Sequence, residues 1–239
     1  MIPKLIVAVD GLSFHDAEEK GVFSSLSEAM AKGIIWGIKV SDMLYSDDVA
    51  KIVSHLRNEY KLNVMADVKL HDIPSTMENC ISKLVDAGAD IVTIHCAANF
   101  RPKNAGLLKY IAGVTILTSF TDLEVKWIYE RTAEDIVKAF SNIALMNNYE
   151  YIFCSVKDIN YIPDNPLRKI CSGIRPPWYR DRHDQVKISS LKEAVRMETD
   201  FIAIGRPITQ SGNIIEAIEK IYSEISQWYA PMWMLIRRE

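Results

Sequence analysis

Eight short apolar runs recur along this chain, and a longer stretch with helical spacing follows most of them. The runs fall at 5–9, 34–40, 62–68, 91–95, 111–117, 151–154, 168–171 and 201–204. Strands that are apolar at successive positions are buried on both faces, which is the signature of a parallel sheet covered by helices. The clearest helical segments are 47–60, 77–87, 132–147, 189–197 and 212–229. In the first of these, Asp48, Val49, Ile52, Val53 and Leu56 show helical spacing. Ser189 and Ser190 before Leu191 have the character of a helix cap. Eight such units in 239 residues fit a (β/α)8 TIM barrel. A doubly wound open sheet is the alternative. It is disfavoured because Asp10-Gly-Leu-Ser13, after the first run, carries no Gly-rich dinucleotide fingerprint. No low-complexity linker interrupts the chain. One domain over 1–239 is therefore expected, with a short apolar tail from about 228 to 239. The pattern is weakest between Ser13 and Lys32, where Gly21 breaks it.

The composition excludes several classes of function. Hydrophobic residues make up 49% and charged residues 25%, with a formal net charge of −3. These values suit a soluble globular protein and give no footprint for nucleic acid. The segment from Met1 to Asp10 is too short for the three-part layout of a signal peptide, so it is expected to be a first strand. No apolar stretch reaches the roughly 18 residues of a membrane span. Neither nucleic acid nor membrane is expected as a partner. Cys80, Cys96, Cys154 and Cys171 form no C-x-x-C pair and no zinc spacing. Reduced buried thiols in a cytoplasmic protein, without a metal, are the expectation.

In a barrel of this kind, functional residues sit at the C-terminal ends of the strands. Asp10 ends the first run, Lys39 the second, Asp67 and Lys69 the third, and His95 the fourth, while Gly205-Arg206 ends the last. The densest segment is Asp67-Val-Lys-Leu-His-Asp-Ile-Pro-Ser-Thr76, which holds two carboxylates and an ammonium in a D-x-K-x-x-D frame. Strand residues two apart share a face, so Asp67 and Lys69 point the same way. Pro74 blocks continuation of the strand, which puts Asp72 on the turn beyond it. Lys39, Asp67, Lys69 and Asp72 then alternate in sign, and each group keeps its charge beside an opposite neighbour. An additional anion brought beside Asp67 or Asp72 is disfavoured until it leaves as a neutral molecule. A carboxylate departing as CO2 meets that condition, and Lys69 is placed to protonate the carbanion left behind. A purely structural ion network is the competing reading of the same residues.

A second signal lies in Ile202-Ala-Ile-Gly-Arg-Pro-Ile-Thr209. Loops after the last two barrel strands commonly build a phosphate site. Gly205 permits close backbone approach, and Arg206 offers a planar fork of donors. Cys171-Ser-Gly-Ile-Arg-Pro176 repeats the Gly-to-Arg pattern after the preceding strand. The long polar stretch from Pro176 to Gln185 is suited to closing over a phosphate.

These motifs resemble the orotidine 5′-phosphate decarboxylase family. The family's D-x-K-x-x-D-I-P-x-T pattern is intact from Asp67 to Thr76. Gly173-Ile-Arg-Pro176, the Asp184-Gln185 pair, Ile204 to Thr209, Asp10 and Lys39 match as well. Leu117-Thr-Ser-Phe-Thr121 is similar to the family's pyrimidine-contacting loop. The resemblance implies conversion of orotidine 5′-monophosphate to uridine 5′-monophosphate and CO2, in de novo pyrimidine biosynthesis, with no metal or organic cofactor. It implies that Lys69 protonates C6 of the pyrimidine and that Asp67 sits near the substrate carboxylate. Lys39 would hold Asp67 and a ribose hydroxyl, and Asp10 would also contact the ribose. Asp72 would complete the neighbouring site of a homodimer with shared active sites, with Ile73 and Thr76 beside it. Thr121 would contact the base. Gln185 and Arg206 would bind phosphate, with Arg175 and the Gly205 backbone alongside. No fused phosphoribosyltransferase domain is expected in this chain.

The chain departs from the family pattern in three places. Residues 18–23 look like an insertion between Asp10 and Lys39. Ser172 stands where the family has Pro before the Gly-Ile-Arg turn, which loosens that turn. The apolar tail has no family counterpart and is expected to pack on the barrel or on a neighbouring subunit. Elsewhere, His95 is expected to be a satisfied hydrogen-bonding histidine, His71 needs no catalytic role, and Asp122 and Glu124 are expected to be solvated loop charges. Two rival functions stand beside the decarboxylase. One is a Mg²⁺-dependent phosphosugar decarboxylase or aldolase of the same barrel superfamily; Ile73-Pro74, Asp184-Gln185 and Thr121 speak against it. The other is a non-catalytic nucleotide-binding protein on the same scaffold.

Overall fold

Eight of the apolar runs become strands because each can bury both of its faces, one toward the barrel axis and one toward a surrounding helix. The computed structural model describes residues 2–45, 48–164, 166–181 and 186–236. Its strands are β1 (Lys4–Val9), β2 (Gly37–Val40), β3 (Val64–Leu70), β4 (Ile91–His95), β5 (Ile111–Val114), β6 (Tyr151–Ser155), β7 (Arg168–Ser172) and β8 (Phe201–Ile204). They pair in parallel and in chain order, and β8 closes on β1, forming a barrel. Closure removes the open-sheet alternative.

Alternation along each strand divides the core in two. Ile6, Met65, Ile91, Phe153, Ile170 and Phe201 are among the residues that fill the barrel. Their strand neighbours, such as Leu5, Val7, Val64, Ala66, Val92 and Ile94, pack outward under the helices. This period of two decides the site. Residues two beyond an inward residue also face inward, so Asp67 follows Met65, and Thr93 follows Ile91. Lys39 belongs to the same inward set because its neighbours Ile38 and Val40 join the outer core.

The helices follow from local signals. α1 (Phe14–Glu19) and α2 (Val22–Ala31) occupy the stretch where the sequence pattern was weakest. Gly21 caps α2 at φ 67°, a left-handed conformation that glycine adopts without strain. Residues 18–23 thus form the junction of two helices. α3 (Val49–Asn58) and α4 (Pro74–Asp86) flank β3, and α4 begins with Pro74 in its first turn, where the missing N–H costs nothing. α5 (Asp122–Tyr129) corrects the expectation of a loop there. Asp122 and Glu124 lie in its first turn, and Thr121 and Glu124 form a reciprocal capping box. α6 (Ala133–Met146) follows directly. α7 (Leu191–Arg196) starts at a Ser190–Glu193 capping box, as the serines suggested. α8 (Arg206–Thr209) is one turn after β8, and α9 (Ile214–Ile236) carries the chain onward as a helix into the apolar tail. Along α9, the Lys192 ammonium lies 4.2 Å from the centre of the Trp228 ring. Among the described residues no helix is long and apolar enough to cross a membrane.

Candidate active site

A cavity of about 630 Å³ opens at the C-terminal ends of the strands. Asp10, Lys39, Asp67 and Lys69 line it from β1 to β3, and Arg175, Gly205 and Arg206 line it from the turns after β7 and β8. Its volume lies in the range typical of small-molecule sites.

The four charged groups form one continuous ion chain. Lys39 Nζ lies 2.9 and 2.8 Å from the two carboxylate oxygens of Asp10. The same ammonium is 3.0 Å from Asp67 Oδ2, and Lys69 Nζ is 2.8 Å from that same oxygen. Thr93 Oγ1 donates to Asp67 Oδ1 at 2.9 Å. The Asp67 side chain is 3% exposed and the Lys39 side chain 8%, so both are desolvated, whereas Asp10 is nearly half exposed. Burial alone would push the Asp67 carboxyl up; the two ammonium groups outweigh it and hold the pKa down at about 2. Burial likewise opposes the Lys39 charge, but Asp67 and Asp10 overcome it and hold that ammonium above its ordinary value. Asp67 and Lys39 therefore both stay ionised at neutral pH.

Lys69 carries a second mark of a built site. Its φ is 45°, in the left-handed region, which a side chain other than glycine occupies at about 1 kcal/mol or more. The ladder between β3 and β4 shifts register between Ala66 and Leu70, and the Lys69 N–H donates to Thr93 Oγ1 at 2.9 Å instead of to a strand carbonyl. Strain of this kind concentrates at functional sites.

The structure gathers most, but not all, of the residues expected from the sequence. Asp10 extends the ion chain beyond Lys39, and Asp72, expected after Lys69, does not join it within its own chain. Asp72 is exposed beyond β3, where its Oδ1 accepts from the Ile73 N–H at 2.6 Å. Among the described residues Asp72 makes no ion pair. Ile73, 64% exposed, and the exposed Thr76 lie at the start of α4 and do not line the cavity. Thr121 does not line it either; its hydroxyl is engaged with Glu124 at 2.8 Å. Thr118 and Ser119, from the same loop, do line it. Their hydroxyl side chains in Leu117-Thr-Ser-Phe-Thr121 were the available sequence signal. Gln185 and Asp184 lie outside the described residues. Arg175 reaches the cavity while its guanidinium donates to the carbonyls of Asp181 and Ile174. At Gly205 an added Cβ would lie 3.0 Å from the Ala8 carbonyl oxygen, so the close packing of β8 on β1 there favours glycine. His95 is the satisfied histidine expected: its Nδ1 accepts from the Ala97 N–H at 3.2 Å, and its ring stacks on His71. The thiols are free, and Cys96, Cys154 and Cys171 are buried. Among the described residues no group of three or more His, Cys, Asp or Glu side chains is arranged to hold a metal ion.

Comparison with known proteins gives a consistent result. The sequence model of the orotidine 5′-phosphate decarboxylase / HUMPS family matches residues 3–221. A curated relative from Campylobacter fetus subsp. fetus, named orotidine 5′-phosphate decarboxylase, is 32% identical over 206 residues, covering 82% of this chain and 90% of the relative. One of the same name from Nautilia profundicola is 31% identical over 235 residues, covering 94% and 99%. The crystal structure of orotidine 5′-phosphate decarboxylase from Lactobacillus acidophilus superposes with a TM-score of 0.72 at 21% identity, over 94% of this chain and 99% of that one. The structural likeness establishes the shared barrel.

Proposed function

The chain belongs to the orotidine 5′-phosphate decarboxylase / HUMPS family, and we propose that it converts orotidine 5′-monophosphate to uridine 5′-monophosphate and CO2 in pyrimidine biosynthesis. The observation that carries this reading is the shared oxygen of Asp67. Two ammonium groups converge on Asp67 Oδ2 at 2.8 and 3.0 Å, in a buried corner of the cavity. A substrate carboxylate seated beside Asp67 meets a fixed anion whose low pKa keeps it from taking up a proton. Loss of CO2 removes that repulsion. The C6–carboxylate bond breaks, its electron pair stays on C6, and a proton from Lys69 Nζ completes uridine 5′-monophosphate. The lysine regains its proton from solvent. Asp10 and Lys39 engage the ribose, Thr118 and Ser119 face the base, and Arg175, Arg206 and the Gly205 backbone hold the 5′-phosphate.

The exposed positions of Asp72, Ile73 and Thr76, outside their own chain's cavity, support a homodimer in which each subunit completes the other's site. Free cysteines accord with a cytoplasmic location. The Mg²⁺-dependent alternative is opposed by the donor set itself. Asp67 Oδ1 already accepts from Thr93, Oδ2 is shared by two ammonium groups, and both Asp10 oxygens accept from Lys39, so among the described residues no open pair of carboxylates faces the cavity. The test is direct turnover of orotidine 5′-monophosphate by purified protein, with and without excess chelator. Equal release of CO2 in both is expected. No turnover rejects the reaction, and turnover lost to chelator favours the Mg²⁺ enzyme.

A further inference from the structure

We infer that Thr93, an uncharged residue inside the barrel, is the positioning residue that sets both Asp67 and Lys69 for the reaction. The inference rests on the proposed decarboxylase reading for its kinetic readout. Thr93 is fully buried on β4 and faces inward two residues above Ile91. Its single hydroxyl makes two hydrogen bonds of 2.9 Å, one to the Asp67 carboxylate and one from the Lys69 backbone N–H. Their polarity is fixed. Asp67 is held ionised and only accepts, so the hydroxyl proton must point to Asp67 Oδ1. The oxygen lone pairs then remain for the Lys69 N–H. One oxygen atom thus clamps the side chain of the anion and the backbone of the proton donor.

The backbone shows why the clamp matters. Lys69 is left-handed at φ 45°, at the register shift between β3 and β4. In an unbroken ladder its N–H would bond to a β4 carbonyl. The Thr93 hydroxyl takes that N–H instead and gives the unfavourable conformation a hydrogen-bonded reason to persist. The other constraint on Lys69 is its 2.8 Å contact with Asp67, which Thr93 also steadies from the far oxygen. Thr93 does not line the cavity, so it touches no substrate and acts through its two neighbours.

The test compares Thr93→Val, which keeps the shape and removes the hydroxyl, with Thr93→Ser, which keeps the hydroxyl and removes the methyl. Thr93→Val is expected to lower kcat about 10- to 100-fold, the scale of a lost hydrogen bond to a charged group, with KM changed less than about threefold. Thr93→Ser is expected to keep kcat within about threefold of the parent. Equal loss in both variants would assign the role to methyl packing and overturn the inference, as would an unimpaired Thr93→Val. If Thr93→Val does not fold, Thr93→Ala supplies the hydroxyl-free comparison with the same two outcomes. Crystal structures of the variants separate this inference from the reaction itself. Without the hydroxyl, Lys69 should leave the left-handed region or lose its contact with Asp67, whether or not the parent turns over orotidine 5′-monophosphate. An unchanged Lys69 and Asp67 in the hydroxyl-free variant refutes the positioning role.

Discussion

Replacing Lys39 by Met tests the ion chain where it is most buried. The substitution keeps an apolar stem of similar length and removes one of the two cations on Asp67. At the observed 3.0 Å and an effective dielectric constant of about 20, the lost attraction is about 5 kcal/mol, equivalent to about 4 pKa units. Asp67 then moves from about 2 to about 6 in the folded variant. In the parent the depressed pKa stabilises the fold at all pH values above the unfolded value of about 3.9, and that stability is lost as pH falls toward 2. In the variant the sign reverses. The raised pKa destabilises the fold at neutral pH and is relieved as pH falls through about 6. The expected loss is about 5 kcal/mol at pH 7, at the upper end of what breaking a buried pair removes, and about 3 kcal/mol at pH 4. Asp10, nearly half exposed, adds little. Urea unfolding at the two pH values measures both quantities. Adding Asp67→Asn to Lys39→Met should recover at least about 2 kcal/mol relative to additivity, because it removes the stranded anion. A loss independent of pH, together with strict additivity, would refute the electrostatic account and leave only lost packing.

Two further outcomes follow from the site. Lys69→Ala should lower turnover by about 10²- to 10⁴-fold or more, the range for a lost general acid, while uridine 5′-monophosphate affinity measured by calorimetry changes little; normal turnover would remove Lys69 from the proposed role. Mixing inactive Lys69→Ala and Asp72→Asn subunits should restore activity through heterodimers that hold one intact site, and no recovery after demonstrated subunit exchange would count against shared sites.

The strands were legible because each apolar run reflects burial on two faces, a requirement that acts residue by residue. The Ser190 cap was legible for the same reason: a helix start is local chemistry. The Thr121–Glu124 box is equally local, but Asp122 and Glu124 in its first turn give the segment the polarity of a solvated loop. The two short helices α1 and α2 are hard to read along the chain because Gly21, a left-handed cap, breaks the helical spacing between them.

From the sequence alone came the barrel, the cavity end of each strand and the identities of Asp10, Lys39, Asp67 and Lys69, since the period of two and the strand-end rule are local. Which charges meet is a matter of closure. Only the paired strands β1, β2 and β3 bring Asp10 and Asp67 together onto Lys39, and only the inward register of β4 sets the Thr93 hydroxyl between Asp67 and the Lys69 backbone. An uncharged threonine in an apolar strand announces nothing along the chain. Its role arises because a neighbouring strand slips register and leaves an N–H to be satisfied.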